Sequence, residues 1–182
     1  MPSMRMLLCA ATAVLSVAGC VNNRVLVDVD VRSFLRESDL VNAYDAAPLV
    51  TTNDRIEPVQ VNLVENFGDL GGAHTVTLQI ALDYVNVTGT GTGTFTLYIG
   101  DDAATLFMTP AVASLQVDLQ PSTTTRSEVT IPVDERVLDL FTSQRLYVGA
   151  DLGWTPSGVE SLQGDCVIVV LNARVESRLS VF

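Results

Sequence analysis

The stretch that decides the fold is HTVTLQIALDYVNV, His74–Val87. From Val76 through Leu78, Ile80 and Leu82, an aliphatic residue falls at every second position. Successive side chains of an extended chain point to opposite sides, so a period of two marks a strand with one face in a core. The same period appears upstream in RVLVDVDVRSFL (Arg24–Leu35), where Val25, Val27, Val29 and Val31 share one face and Asp28, Asp30 and Arg32 the other. It recurs in VQVNLV (Val59–Val64), TFTLYI (Thr94–Ile99), ATLFM (Ala104–Met108), ASLQVDL (Ala113–Leu119), SEVTIPV (Ser127–Val133) and QRLYVGADL (Gln144–Leu152). The final run, CVIVVLNARVESRLSVF (Cys166–Phe182), is long enough for two strands or one bent strand.

These segments add up to about nine strands separated by turn-rich stretches such as ENFGDLGGA, TGTGTG, GDDA, QPSTTT and WTPSGVESLQGD. Many short strands with little helix predict an all-β protein, an antiparallel β-sandwich of immunoglobulin-like or jelly-roll-like kind. At most two short helices are expected. DERVLDLF (Asp134–Phe141) places Asp134 as N-cap with Val137, Leu140 and Phe141 on one side, and ESDLVNAY (Glu37–Tyr44) is the weaker candidate. No heptad, solenoid repeat or internal boundary interrupts the pattern, so a single domain over 24–182 is expected.

The 182 residues are 48% hydrophobic and 17% charged, which argues against disorder. All ten basic residues are Arg, so chemistry that needs a Lys has no candidate here. The net charge is −11, and from Cys20 onward nine basic residues face 21 acidic ones. A body this acidic repels polyanions, so nucleic acid is excluded as a partner. The plain reading of the acids is that they keep an apolar-rich β-protein soluble.

The first twenty residues follow a different rule. Arg5 precedes MLLCAATAVLSVAG (Met6–Gly19), which is uncharged and too short to span a bilayer as a helix. It ends in Val17-Ala18-Gly19-Cys20. An aliphatic residue, two small residues and a Cys resemble the lipobox of bacterial lipoproteins, with Val where Leu is commonest. The resemblance covers only this segment. It implies a signal peptide over 1–19, cleavage before Cys20, and acyl chains on Cys20 that hold the protein to a membrane. Ordinary signal cleavage leaving a plain thiol, or a disulfide between Cys20 and Cys166, are the competing readings. Cys166 opens an apolar run, where a lone Cys acts as a small buried hydrophobe, and lipidation is the expectation. No Asp follows Cys20, which by analogy with enteric bacteria favours the outer over the inner membrane. The strand pattern begins four residues after Cys20, and four extended residues reach about 14 Å. Residues 20–23 are thus a very short tether.

Catalytic constellations are sparse. His74 is the sole His, so a zinc-hydrolase ligand set cannot be assembled, and no Ser lies in a G-x-S-x-G elbow for a triad. Cys166 at the head of an apolar strand is a poor nucleophile. The run TGTGTGT (Thr88–Thr94) lacks the Lys and following helix of a phosphate loop and reads as a hairpin loop. Weak ligand candidates remain: Asp101 and Asp102 in a turn, and Asp151 and Asp165 flanking a loop that carries Trp154, the single Trp. Loop acids of this kind serve calcium in extracytoplasmic domains, but no EF-hand pattern is present and no metal or cofactor is expected. Trp154 reads as a sugar platform or as a plug under the sandwich rim, and the plug is expected. The pattern points to a non-enzymatic, membrane-anchored envelope lipoprotein that contacts other envelope proteins. A carbohydrate- or calcium-binding module is the alternative.

Overall fold

A computed structural model describes residues 24–62, 73–142 and 146–178. Nine strands follow in chain order: β1 (Arg24–Asp30), β2 (Val41–Ala46), β3 (Thr52–Val61), β4 (Ala73–Thr88), β5 (Gly91–Gly100), β6 (Ala113–Leu119), β7 (Thr123–Pro132), β8 (Leu146–Pro156) and β9 (Leu162–Arg178). Two short helices, α1 (Glu37–Leu40) and α2 (Glu135–Thr142), and 3₁₀ turns at Val31–Phe34 and Leu106–Met108 complete the described elements. Every strand pair is antiparallel. One sheet has the order β1-β9-β4-β7 with β2 also on β9, and the other β3-β8-β5-β6.

β1 and β2 are two halves of one interrupted edge strand. Both pair with β9, β1 ending at Asp30 opposite Asn172 and β2 starting at Val41 opposite Val167. Counted together they leave eight strand positions, and successive positions alternate between two four-membered sheets except at the β5–β6 hairpin, which is jelly-roll order. The immunoglobulin-like alternative is thereby excluded. Where the edge is interrupted, the side chain of Arg32 donates through Nε to the Ile168 carbonyl oxygen at 2.9 Å. A backbone acceptor that lost its strand partner is thus still paired.

One core fills the space between the sheets, with Val29, Tyr44, Ile80, Leu82, Phe95, Leu97, Leu152, Trp154, Ile168 and Val175 among its members. On β1, Val29 is buried while Asp28 and Asp30 are exposed, as alternation predicts. α2 forms where expected. Asp134 Oδ1 accepts the Val137 N–H at 2.9 Å, and Val137 and Phe141 are buried with Leu140 partly so.

Several expectations are corrected. ESDLVNAY is helical only over Glu37–Leu40 and then becomes β2, because Asn42, Tyr44 and Ala46 alternate into the core. ATLFM is no strand: Leu106–Met108 is a 3₁₀ turn folded over the outside of the four-stranded sheet. Leu106 fits there because Gly100 and Gly149 lie beneath it, where a Cβ would come within 3.0 and 2.9 Å of its methyls. TGTGTGT is not a loop either. The turn is Gly89–Thr90, with Gly89 at φ 72°, and β5 starts at Gly91. Gly93 faces inward under the ring of Tyr84, which a Cβ would meet at 2.8 Å. WTPSGVESLQGD is likewise mostly strand, leaving only 157–161 as the connection. The final run belongs, as far as Arg178, to one strand, β9, which starts at Leu162; residues 179–182 lie outside the described residues.

Candidate functional site

The candidate residues do not converge. Trp154 lies on strand β8 rather than on a loop, is 1% exposed, and stacks on Tyr44 with ring centroids 5.2 Å apart and planes 18° from parallel. Its place is the interior plug, and no face of its indole is open to a sugar. Asp151 sits outward on the four-stranded sheet opposite Arg55, whereas Asp165 sits outward on the other sheet between Ala43 and Val85. The two carboxylates are therefore on opposite outer faces. Asp101 and Asp102 are exposed in the turn after β5, and Asp102 Oδ1 accepts the Ala104 N–H at 2.9 Å. Among the described residues no three His, Cys, Asp or Glu side chains come together to hold a metal ion. His74 is exposed at the start of β4. Cys20 lies outside the described residues, and Cys166 is a buried free thiol.

Around Trp154 and Cys166 the core is unusually polar. Burial pushes the Cys166 thiol up to about 12, the nearby Tyr84 hydroxyl acting in the opposite sense. Burial also raises Tyr84 and Tyr44, with the Cys166 sulfur as the next cause in both. A thiol held neutral in this way is no nucleophile. Asn86, 2% exposed, organises the surroundings. Its Oδ1 accepts the Tyr44 hydroxyl at 3.2 Å, and its Nδ2 donates to the carbonyl oxygens of Gly89 and Gln120, both at 2.9 Å. The Tyr84 hydroxyl has only the Cys166 sulfur beside it, and the Trp154 indole N–H has no hydrogen-bond partner among the described residues.

Two polar grooves mark the outer faces. On the four-stranded sheet a groove of about 560 Å³ is lined by Asn53, Asp54, Arg55, Glu57 and Asp151. Arg55 Nε donates to Asp151 Oδ1 at 2.7 Å while its guanidinium lies 3.9 Å over the Phe107 ring. Tyr98 meets Phe107 edge-on, and its ionisation is raised by burial first and by the Asp151 carboxylate second. On the other sheet a groove of about 380 Å³ is lined by Asp28, Thr77, Gln79, Thr130, Asn172 and Arg174. Arg174 holds Asp28 in a two-pronged pair at 2.7 and 3.1 Å. Sequence reasoning missed both grooves. Their one legible signal is a lone Arg at an outward strand position; the strands they join are far apart in the chain.

No family model matches the chain, and no curated protein matches it. Among solved structures it is similar to that of infectious bursal disease virus Gx strain, at TM-score 0.47 and 9% identity over 99% of this chain and 43% of that one. A non-crystalline cellulose specific carbohydrate-binding module, CBM28, gives TM-score 0.42 and 12% identity over 72% of this chain and 71% of that one. Tobacco streak virus coat protein gives TM-score 0.29 and 13% identity over 90% and 92%. The chain thus spans less than half of the infectious bursal disease virus chain it matches. At these low scores no ligand, assembly or activity transfers to this chain. Its class, an antiparallel jelly-roll β-sandwich, stands on its own strand order.

Proposed function

We propose that this chain is a lipid-anchored protein of a bacterial envelope, most readily the outer membrane, whose jelly roll is a non-enzymatic structural or protein-interaction module. One juxtaposition carries the reading: β1 starts at Arg24, directly behind the lipobox-like Val17-Ala18-Gly19-Cys20. Acyl chains on Cys20 would hold the folded body within about 14 Å of the bilayer. The non-enzymatic part draws support from the dispersal of the ionisable residues over opposite faces and from the burial of Cys166 and Trp154. Metabolic labelling with palmitate tests the anchor. Wild type should take up label and partition with membranes, and Cys20→Ala should do neither. Unlabelled wild type, or membrane-bound Cys20→Ala, would overturn it.

A second reading, a carbohydrate-binding module, is favoured by the groove of amide and hydroxyl side chains at Thr77, Gln79, Thr130 and Asn172. Calorimetric titration with neutral oligosaccharides tests it. Heat that disappears in Gln79→Ala would support it, and no heat from wild type would remove it.

A further inference from the structure

Four connections meet at one end of the sandwich: 47–51 (β2 to β3), 89–90 (β4 to β5), 120–122 (β6 to β7) and 157–161 (β8 to β9). Hydrogen bonds tie three of them together. Ser157 N–H donates to the Thr90 carbonyl oxygen at 2.9 Å and its hydroxyl to Thr90 Oγ1 at 3.1 Å, Thr88 Oγ1 donates to the Ser161 carbonyl oxygen at 3.1 Å, and Asn86 links Gly89 to Gln120. Connections 47–51 and 157–161 run side by side, since Ala46 pairs with Leu162 and Thr52 with Trp154. On this fixed base stand three large apolar side chains: Leu49 at 80% exposure, Val50 at 54% and Val159 at 88%.

The backbone shows that Leu49 is out of place by every local rule. The Val50 N–H donates to the Ala47 carbonyl oxygen at 3.0 Å, closing a turn with Pro48 second and Leu49 third, and Leu49 has φ 62°. A turn of this kind favours Gly or Asn in third place, because a positive φ crowds a Cβ. The Pro121-Ser122 turn at the same end of the sandwich also has positive φ at its third residue, 56°, and fills it with a small polar side chain. A leucine at residue 49 is thus disfavoured by conformation and by solvent together, and its display is explained by contact with something else.

Charge selects the occupant. Across the four connections Glu160 is the single charged residue, and the nearest charged positions along the flanking strands include Asp45, Asp54, Asp118 and Asp165, with Arg126 on β7 the one basic position, itself paired with Asp83 and Glu128. An acidic rim on an acidic body repels anionic headgroups, and a second copy would set rim against rim. We propose that this end docks on a protein partner with a preformed apolar pocket bordered by basic side chains, Leu49 being the inserted residue. The proposal deepens the protein-interaction reading and rests on that part of it, not on the lipid anchor.

The test uses the full chain in its host with a photo-crosslinking residue at Val159, followed by titration of the captured protein with wild type, Leu49→Gly and Met108→Ser. Met108 is 83% exposed in the connection at the opposite end and serves as control. Leu49→Gly should melt at a higher temperature than wild type, since the turn relaxes, yet bind the captured protein at least ten-fold more weakly. Met108→Ser should bind as wild type does, and added salt should slow association with wild type. Four results would each overturn the proposal: no crosslink, equal affinity of Leu49→Gly, Leu49-dependent binding to phosphatidylcholine–phosphatidylglycerol vesicles, or a Leu49-dependent dimer in sedimentation. Palmitate labelling of Cys20 is read separately, so loss of the anchor and loss of the docking surface are distinguishable.

Discussion

Two aromatic clusters of similar make-up sit on the two sides of the four-stranded sheet. Inside, Tyr44 and Trp154 stack at 5.2 Å beside Tyr84 and Cys166. Outside, Tyr98 meets Phe107 at 5.3 Å with Arg55 over the ring and Asp151 beside it. The inner cluster is roofed by backbone: a Cβ on Gly164 would lie 2.6 Å from the Tyr44 hydroxyl and 2.2 Å from the Val85 carbonyl oxygen. The outer one is open to water, and its ions keep their hydration. The same ingredients therefore hold the fold together on one side and shape a soluble surface on the other.

The comparison can be broken most severely at Trp154. Trp154→Ala should lower unfolding free energy by about 3–5 kcal/mol in denaturant titration, as for other large buried aromatics. Trp154→Phe sharpens the point: it keeps a ring and deletes an indole N–H that has no partner among the described residues, so its loss should be well below that of the alanine variant. An unchanged midpoint for Trp154→Ala would show that the inner cluster is not structural.

Alkali should act next, and chiefly through the inner cluster. Cys166, Tyr84 and Tyr44 are neutral when protonated, and burial raises all three in the folded state. The unfolded chain releases these protons first, so stability is complete below the ordinary thiol value of 9.0 and drains away as pH climbs from there towards about 12. Midpoints measured across that range should fall, and Cys166→Ala should flatten the fall.

Asn86→Ala should cost about 1–3 kcal/mol, because the Gly89 and Gln120 carbonyl oxygens and the Tyr44 hydroxyl lose a buried partner together. At the far end of the scale, Arg55→Ala should leave the unfolding midpoint unmoved, since its pair with Asp151 is exposed to solvent and screened. A marked drop there would erase the contrast between the two sides.

Much of this molecule can be read from short-range pattern. Val29 of β1, the aliphatic ladder of β4 and the Asp134-capped helix all stand where period and capping predict. The misreadings have a common cause. Gly91 and Gly93 do alternate with threonines, but glycine carries no hydropathy signal, so a strand whose inward positions make room for Tyr84 and Leu162 looks like a loop. ATLFM looks like a strand because its apolar residues are real; Leu106 is buried, but on the outside of a sheet, where two glycines admit it. For the site residues, adjacency in the chain misled. Asp151 and Asp165 bracket Trp154 in sequence, yet β8 and β9 belong to different sheets.

Alternation is a property of a single extended chain, and so the all-β class, the strand faces and the lipobox-like segment are all written in local sequence. Register and sheet membership are not local. That Arg174 meets Asp28, that Arg55 meets Asp151, that Trp154 is stacked and closed off, and that Leu49 and Val159 share one end all depend on which distant strands pair. Those pairings are set by the packing of the whole core, where the burial of every strand is weighed at once.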